Sequence, residues 1–414
     1  MTKKIFIIGS GGREHAIGAK IKQDNPDTEL IFCPGNGGTE ALGLSVNLTS
    51  VDEMLGFALE NQMDLTIVGP EAPLVEGIVD TFQAKKLNIF GANQQAAQLE
   101  GSKVFAKNFM QKYGVKTATS QQFRNYIDAK NYVAELQQYP VVIKVSGLAA
   151  GKGVIICHDN FEADEAVRSI MLDHQFGEAG NEIVIEEFLE GFECSILSFY
   201  NGKEIIPMLS AKDHKKIGEG ETGLNTGGMG VIAPNPLFTE AHYQTFINDI
   251  LNPTLAGLQA EKMDFAGIIF FGLMINAQGV YLLEYNMRFG DPETQTILPL
   301  LESNLLTIFE NCIAHESIDL QWKKQYACTV VIASGGYPAQ YDTGFEIFGL
   351  NNITCPYYVA GATLHDGQML TSGGRVLNIV GLGNTLDEAK KQAYENVKKV
   401  RFDYQYYRKD IGDL

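Results

Sequence analysis

The chain has 414 residues and a formal charge of −18, with 45% hydrophobic and 20% charged residues, the usage of ordinary globular proteins. At roughly 150 residues per domain, the length allows about two to four domains. The acidic balance argues against a nucleic-acid or anionic-membrane partner, which needs a basic footprint, but leaves room for a small phosphorylated substrate held by local Arg, Lys and backbone N–H groups.

MTKKIFIIG runs directly into a strand and a glycine turn, so no signal peptide is expected at the start. Apolar runs at Lys4–Gly9, Leu30–Cys33, Leu65–Gly69 and Leu87–Gly91 alternate with helical patterns such as Val51–Gln62 and Val75–Lys86. That alternation predicts a parallel sheet with helices on both faces, and ligands on such sheets bind beyond the carboxyl ends of the strands. The turns GSGGREH, PGNGG and VGPEAPL fall there. GSGGREH follows a strand and opens a helix, so its N–H groups suit a phosphate, with Arg13 as a charge partner or, alternatively, in an ordinary ion pair. A dinucleotide fingerprint would need glycine at position 14, where this chain has Glu14, and no acid closes the second strand at Cys33–Pro34.

A helix is predicted from Ser102 to Tyr113, with Phe105, Phe109 and Tyr113 stacked on one face and Lys103 and Lys107 on a neighbouring stripe. VVIKVSGLAAGKGVIIC (141–157) has the texture of a phosphate loop without its spacing. A second β-branched strand follows Gly153, so the element is strand–loop–strand. It is either a glycine-rich flap over phosphates or a plain hairpin, and Lys144 inside an apolar strand needs an anion in both cases. IVIEEF (183–188) ends in two acids, with Glu193 beyond; such acids are either solvated or turned to a nucleoside. In YLLEYNMR (281–288), Glu284 and Asn286 share one strand face. Two oxygen donors of this kind suit Mg²⁺, which keeps waters and phosphate oxygens for the rest of its shell; a Glu–Arg288 ion pair is the alternative. The remainder, from about Tyr326, reads as short strands and a helix from Leu386 to about Val400. Six scattered cysteines without a C-x-x-C pair, and seven histidines without H-E-x-x-H, suit reduced thiols in a cytoplasm and no zinc site.

Lys103, then VVIK with GLAAGKGV, then IVIEEF, then LEYNMRFGDPETQ, in that order, resembles the ATP-grasp superfamily. GSGGREH, VGPEAPL, EGSK, DHKK, NTGGMG, RFGDPETQ, GGYP, GGRV and YRKDIG extend the likeness over essentially the whole chain to the glycinamide ribonucleotide synthetases. The resemblance implies an α/β and α+β multidomain fold: an N-terminal substrate-binding parallel-sheet domain (1–101), ATP-grasp lobes (102–317, the small lobe about 120–190) and a small mixed C-terminal domain (326–414). It implies a cytoplasmic ligase of purine biosynthesis that uses ATP and Mg²⁺ or Mn²⁺. Its small-molecule partners would be glycine and 5-phosphoribosylamine, which it joins through a glycyl phosphate.

Carried over by position, Lys103, Lys144 and Glu193 would contact ATP, with the backbone of Glu186, Glu187 and Phe188 at the adenine and Gly151, Lys152 and Gly153 as the flap. Glu284 and Asn286 would hold the metal. Gly11, Gly12, Arg13, Pro70 and Glu71 would face the sugar phosphate, and Asp213, Asn225, Thr226, Gly227, Gly228 and Arg288 would surround the reacting centre. Arg288, Lys152 and Asp213 would be catalytic. Three departures stand out: Lys216 and Leu224 replace an arginine and a proline of the usual pattern, and the spacing before YRKDIG is altered to RFDYQYYRKDIG. Rival readings are a dinucleotide oxidoreductase, a silent ATP-binding module and an ATP-grasp ligase for another amine.

Overall fold

The computed structural model describes residues 2–149 and 153–414. Lys4–Gly9 lies at the centre of a five-stranded parallel sheet. Glu29–Pro34 and then Leu44–Ser45 lie on one side of it, Leu65–Val68 and then Ile89–Phe90 on the other. The chain reverses its direction of travel across the sheet at this central strand, which places the crevice beyond Gly9, Pro34 and Val68, where the three glycine turns stand. The pattern over Val75–Lys86 forms two helices instead of one, Glu71–Val75 and Ile78–Gln83. Gly77 between them has φ +88, a left-handed conformation that ends the first helix.

Ser102 caps the helix Lys103–Tyr113 by accepting a hydrogen bond from Phe105 N. A four-stranded antiparallel lobe follows, ordered Ser120–Phe123, Ile183–Glu187, Val141–Val145, Val154–Cys157. Val141, Ile143 and Val145 bury one face of their strand against the helices Tyr126–Glu135 and Asn160–Met171. Period-2 alternation therefore turns Lys144 to the other face.

The nine-stranded sheet carries the rest. Its main path runs Gly279–Asn286, Gly267–Asn276, Phe192–Tyr200, Ile205–Asp213, Gly230–Ala233, Tyr326–Ser334, Arg375–Gly383 and Tyr357–Val359. The strands after residue 326 thus continue the same sheet, because Gly230–Ala233 pairs antiparallel with Tyr326–Ser334. Each side satisfies the other's free edge, a partnership that strand patterns in the sequence do not encode. The six cysteines are free thiols. Among the described residues no helix is long and apolar enough to cross a membrane.

Candidate active site

One irregularity in a strand sets the site. Gly279–Asn286 pairs with Gly267–Asn276, and the register shifts between Gly272↔Glu284 and Leu273↔Leu282, leaving one extra residue on the outer strand. Before the shift Val280 and Leu282 face the core; after it Tyr285 does. Without this bulge, Glu284 and Asn286 would fall on the core side with Leu282. With it they turn into the cleft.

Glu284 meets a ring of lysines. Its Oε2 lies 2.5 Å from Lys103 Nζ. Burial opposes its ionisation, but Lys103, Lys215 and Lys144 outweigh burial and hold its carboxyl far below the usual carboxylate range. Lys144 finds its anion in Glu186, with Nζ 2.9 Å from Oε2 and 3.4 Å from the Leu283 carbonyl. Lys107 reaches the other oxygen of Glu186 at 3.1 Å and donates to Thr117 Oγ1 at 2.7 Å. Burial brings the Lys107 ammonium down to about 8, against the pull of Glu186. Burial likewise opposes the charge of Glu186, and Lys144 and Lys107 overcome it.

Glu187 turns outward and accepts from Thr119 N and Oγ1 at 2.7 and 2.8 Å. Phe188 is half-buried just past the strand end. Glu193 Oε2 stands 2.7 Å from Lys215 Nζ. Gly153 stands just before the return strand: its carbonyl accepts from Val145 N, and an added Cβ would come within 2.3 Å of a Val145 methyl. The glycine is thus required by packing as well as by any flap. Gly151 and Lys152 lie outside the described residues.

Asn286 Oδ1 accepts from Arg288 at 3.3 Å, so Arg288 does lie beside it although the strand ends at Asn286. The same guanidinium reaches Glu71 Oε2 at 3.3 Å and Glu100 Oε1 at 3.1 Å, tying the Pro70–Glu71 turn to the cleft. Burial works against the charge of Glu71, and the nearby guanidinium groups of Arg288 and Arg13 override it, so its carboxyl stays below the usual range. Pro70 caps the short helix that begins at Glu71.

Asp213 closes the other wall. Its Oδ1 is buried with no hydrogen-bond partner among the described residues. It lies 2.7 Å from where a Cβ on Gly228 would stand, with Pro292 Cδ at 2.6 Å from that point. Gly228 has φ +114, so the loop needs glycine for its backbone as well as for its closeness. Burial, and then the charge of Glu293, push the Asp213 carboxyl well above the ordinary range; burial raises Glu293, which is only 4% exposed, in the same direction. Asn225 ends an exposed strand, Thr226 donates through N and Oγ1 to the Lys215 carbonyl at 2.8 Å, and Gly227 N donates to Tyr337 at 2.9 Å.

The GSGGREH turn is held from within and from outside. Gly11 N donates to Glu14 Oε2 at 2.6 Å and Arg13 N to Asp291 Oδ2 at 3.1 Å. The guanidinium of Arg13 pairs with buried Glu14 at 2.5 Å and donates to the Phe289 carbonyl at 2.9 Å. Gly9 and Gly69 leave the space through which the Glu14 side chain passes. Gly12 packs against the amides of Asn378 and Gln295.

Residues singled out in 1–101 and 102–317 therefore border one cleft, Glu187 turning outward from it; the third part of the chain reaches it only through residues not singled out. Others join them unforeseen: Lys215, Glu100, Glu293, Asp291 and Arg375. Arg375 donates to the carbonyls of Gly227 and Asp291 at 2.5 and 2.7 Å and pairs with the Asp291 carboxylate at 3.2 Å. All five lie inside recognised blocks (EGSK, DHKK, RFGDPETQ, GGRV), so their type was visible but not their direction.

In comparisons with known proteins, the phosphoribosylglycinamide synthetase family matches in three parts: its N domain over residues 3–100, its ATP-grasp (A) domain over 101–294 and its C domain over 327–414. A phosphoribosylamine–glycine ligase of Clostridium acetobutylicum is 52% identical over 414 residues, covering 99% of each chain. That of Fusobacterium nucleatum is 51% identical over 420 residues, covering 99% of this chain and 98% of the relative. The crystal structure of the phosphoribosylamine–glycine ligase of Thermotoga maritima superimposes with a TM-score of 0.87 at 32% identity, covering 99% of this chain and 100% of that one.

Proposed function

The chain belongs to the phosphoribosylglycinamide synthetase family, and on that premise we propose how its cleft carries out the ATP-dependent phosphoribosylamine–glycine ligase reaction of purine biosynthesis. The observation that carries the assignment is Glu284: a carboxylate turned into the cleft by a bulge, with Asn286 beside it, held ionised by Lys103, Lys215 and Lys144. Among the described residues no three His, Cys, Asp or Glu side chains form a ready metal cage. A carboxylate and a carboxamide oxygen on one strand face fit a Mg²⁺ or Mn²⁺ that arrives with phosphate oxygens and water as its other ligands. Such an ion, when bound, would neutralise charge on the transferring phosphoryl group.

In this reading Lys103 and Lys144 meet the ATP phosphates, Glu193 the ribose, and the 186–188 backbone the adenine, with Gly151–Gly153 closing over them. A glycine carboxylate oxygen attacks the γ-phosphorus and ADP leaves, giving glycyl phosphate. The amine of phosphoribosylamine then attacks the acyl carbon, the C–O bond to phosphate breaks, and inorganic phosphate departs. Lys152 and Arg288 balance charge in the first step. The amine must lose a proton in the second, and in this reading the ionised form of Asp213, whose buried Oδ1 has no hydrogen-bond partner among the described residues, accepts it. Gly11, Gly12, Arg13, Pro70 and Glu71 border the sugar-phosphate end, and Asn225–Gly228 the acyl group. The working division of labour is 1–101 for the sugar phosphate, 102–317 for the nucleotide and 326–414 for bracing. Glycine labelled with heavy oxygen in its carboxylate tests the pathway. One labelled oxygen should appear in inorganic phosphate, with release dependent on ATP, glycine and phosphoribosylamine together. Unlabelled phosphate would rule out the acyl phosphate.

A further inference from the structure

The block YRKDIG takes no part in the chemistry above, yet it is densely hydrogen-bonded to the rest of the chain. The strand Gln405–Tyr406 pairs with Ala333–Ser334, and the chain then crosses the hairpin formed by Lys216–Gly218 and Thr222–Asn225. Arg408 is 1% exposed. Its guanidinium grips both oxygens of Asp410 at 2.8 Å, Glu221 Oε1 at 2.9 Å and the Lys216 carbonyl at 2.9 Å. The Tyr406 hydroxyl donates to the Ile217 carbonyl at 2.7 Å, Lys409 N to Glu219 at 3.3 Å, and Asp410 accepts from Gly220 N at 2.8 Å. Lys216, Ile217, Glu219, Gly220 and Glu221 are thus each held by the segment Tyr406–Asp410. A little further on, Gly412 N donates to His214 Nε2 at 3.2 Å. That leaves the proton on Nδ1, facing the Gly230 carbonyl at 3.2 Å.

The far end of the hairpin is the reacting centre. His214 lies between Asp213 and Lys215, and the Lys215 carbonyl accepts both donors of Thr226, whose hydroxyl in turn accepts from Gly228 N at 3.0 Å. Ile217 packs at the edge of an apolar cluster, but among the described residues the hydrogen bonds that reach Lys216–Asn225 from outside the hairpin come from Tyr406–Asp410. Thr222–Asn225 is exposed along its whole length, and an isolated two-stranded hairpin is marginal in water. A planar, bidentate guanidinium cage gives direction as well as attraction.

We propose that Arg408 is a positioning residue: through Glu221, Asp410 and the Lys216 carbonyl it clasps the hairpin and so fixes the Lys215 carbonyl and, through Thr226, the Asn225–Gly228 loop for catalysis. The proposal rests on the ligase reading above. Arg408→Lys keeps the charge and loses the fork, while the double variant Glu221→Gln with Tyr406→Phe loosens the clasp and leaves the buried Arg408–Asp410 pair in place. Both should lower kcat, by about ten- to hundred-fold for Arg408→Lys, since small misplacements near reacting atoms have effects of that size. The KM for glycine should rise. The affinity for a non-hydrolysable ATP analogue, set by Lys103 and Lys144 on other elements, should stay within about two-fold. An unchanged kcat in Arg408→Lys, or an analogue affinity that falls in step with kcat, overturns the clasp. A wild-type protein that releases no phosphate in response to glycine and phosphoribosylamine overturns the ligase reading instead.

Discussion

Glu284→Gln separates a metal ligand from a structural ion pair. The change preserves shape and removes one charge from a carboxylate that faces Lys103 at 2.5 Å and feels Lys215 and Lys144. As an ion pair, Glu284 bears on folding stability and not on the Mg²⁺ requirement: the lysines that hold its carboxyl far below the usual range favour the folded chain at neutral pH. As a metal ligand it sets that requirement, because a charge-assisted contact of about 1.5–3 kcal/mol corresponds to roughly ten- to hundred-fold in a binding constant. The expected result is a chain that still folds, with some loss of melting temperature, turnover sharply reduced, and a Mg²⁺ concentration for half-maximal activity raised by about one to two orders of magnitude. Titrating Mg²⁺, and separately Mn²⁺, into a glycine-dependent phosphate-release assay at fixed ATP reads this directly. The carboxyl lies far below the usual range in the fold, so its charge is present throughout neutral and mildly acidic pH and lost only in strong acid; the wild-type metal requirement should therefore not shift through this group between about pH 5 and 8. An unchanged Mg²⁺ requirement in the variant, whatever its turnover, refutes the metal assignment.

Gly228→Ala forces a side chain into φ +114 and against Asp213 and Pro292, so stability should fall by about 1–3 kcal/mol and kcat with it; normal values of both would show that the loop does not set Asp213. Arg13→Ala strips the partner from buried Glu14 and should cost about 3–5 kcal/mol in denaturant unfolding. If the turn also borders the sugar phosphate, the KM for phosphoribosylamine rises while that for ATP holds; equal rises for both would reject that role. Lys107 loses its proton near pH 8 in the fold but near the ordinary lysine value when unfolded, so the unfolded chain binds the extra proton in between. Wild-type stability relative to Lys107→Met should accordingly rise with pH from about 8 to 10.5, with a slope of up to about 1.4 kcal/mol per pH unit. A flat difference across that window would show that Lys107 is not depressed.

Much of this architecture was legible because its signals are local. Alternating strands and helices marked the N-terminal sheet, and a β-branched return strand after Gly153 distinguished a hairpin from a helix-opening phosphate loop. What stayed hidden depends on direction. Glu284 and Asn286 share a face by simple alternation, but the face they share is chosen by an extra residue between Leu282 and Glu284 that no periodicity reveals. Arg13 could be read as a phosphate partner or as half of an ion pair; the sequence could not show that it pairs with its own neighbour Glu14 and reaches the Phe289 carbonyl, far off in the chain. Lys215 was overshadowed by Lys216, because only the fold shows which of two adjacent lysines turns to Glu193. The departures at Lys216, Leu224 and the run before YRKDIG look unrelated in sequence. In the structure all three sit on the hairpin or on the segment that clasps it. Arg408 takes the backbone carbonyl at 216, so its grip does not depend on which cation stands there. Leu224 is 61% exposed on the outer strand, away from that grip. A contact that reads main chain tolerates side-chain drift, and the same contact is what a strand pattern cannot report.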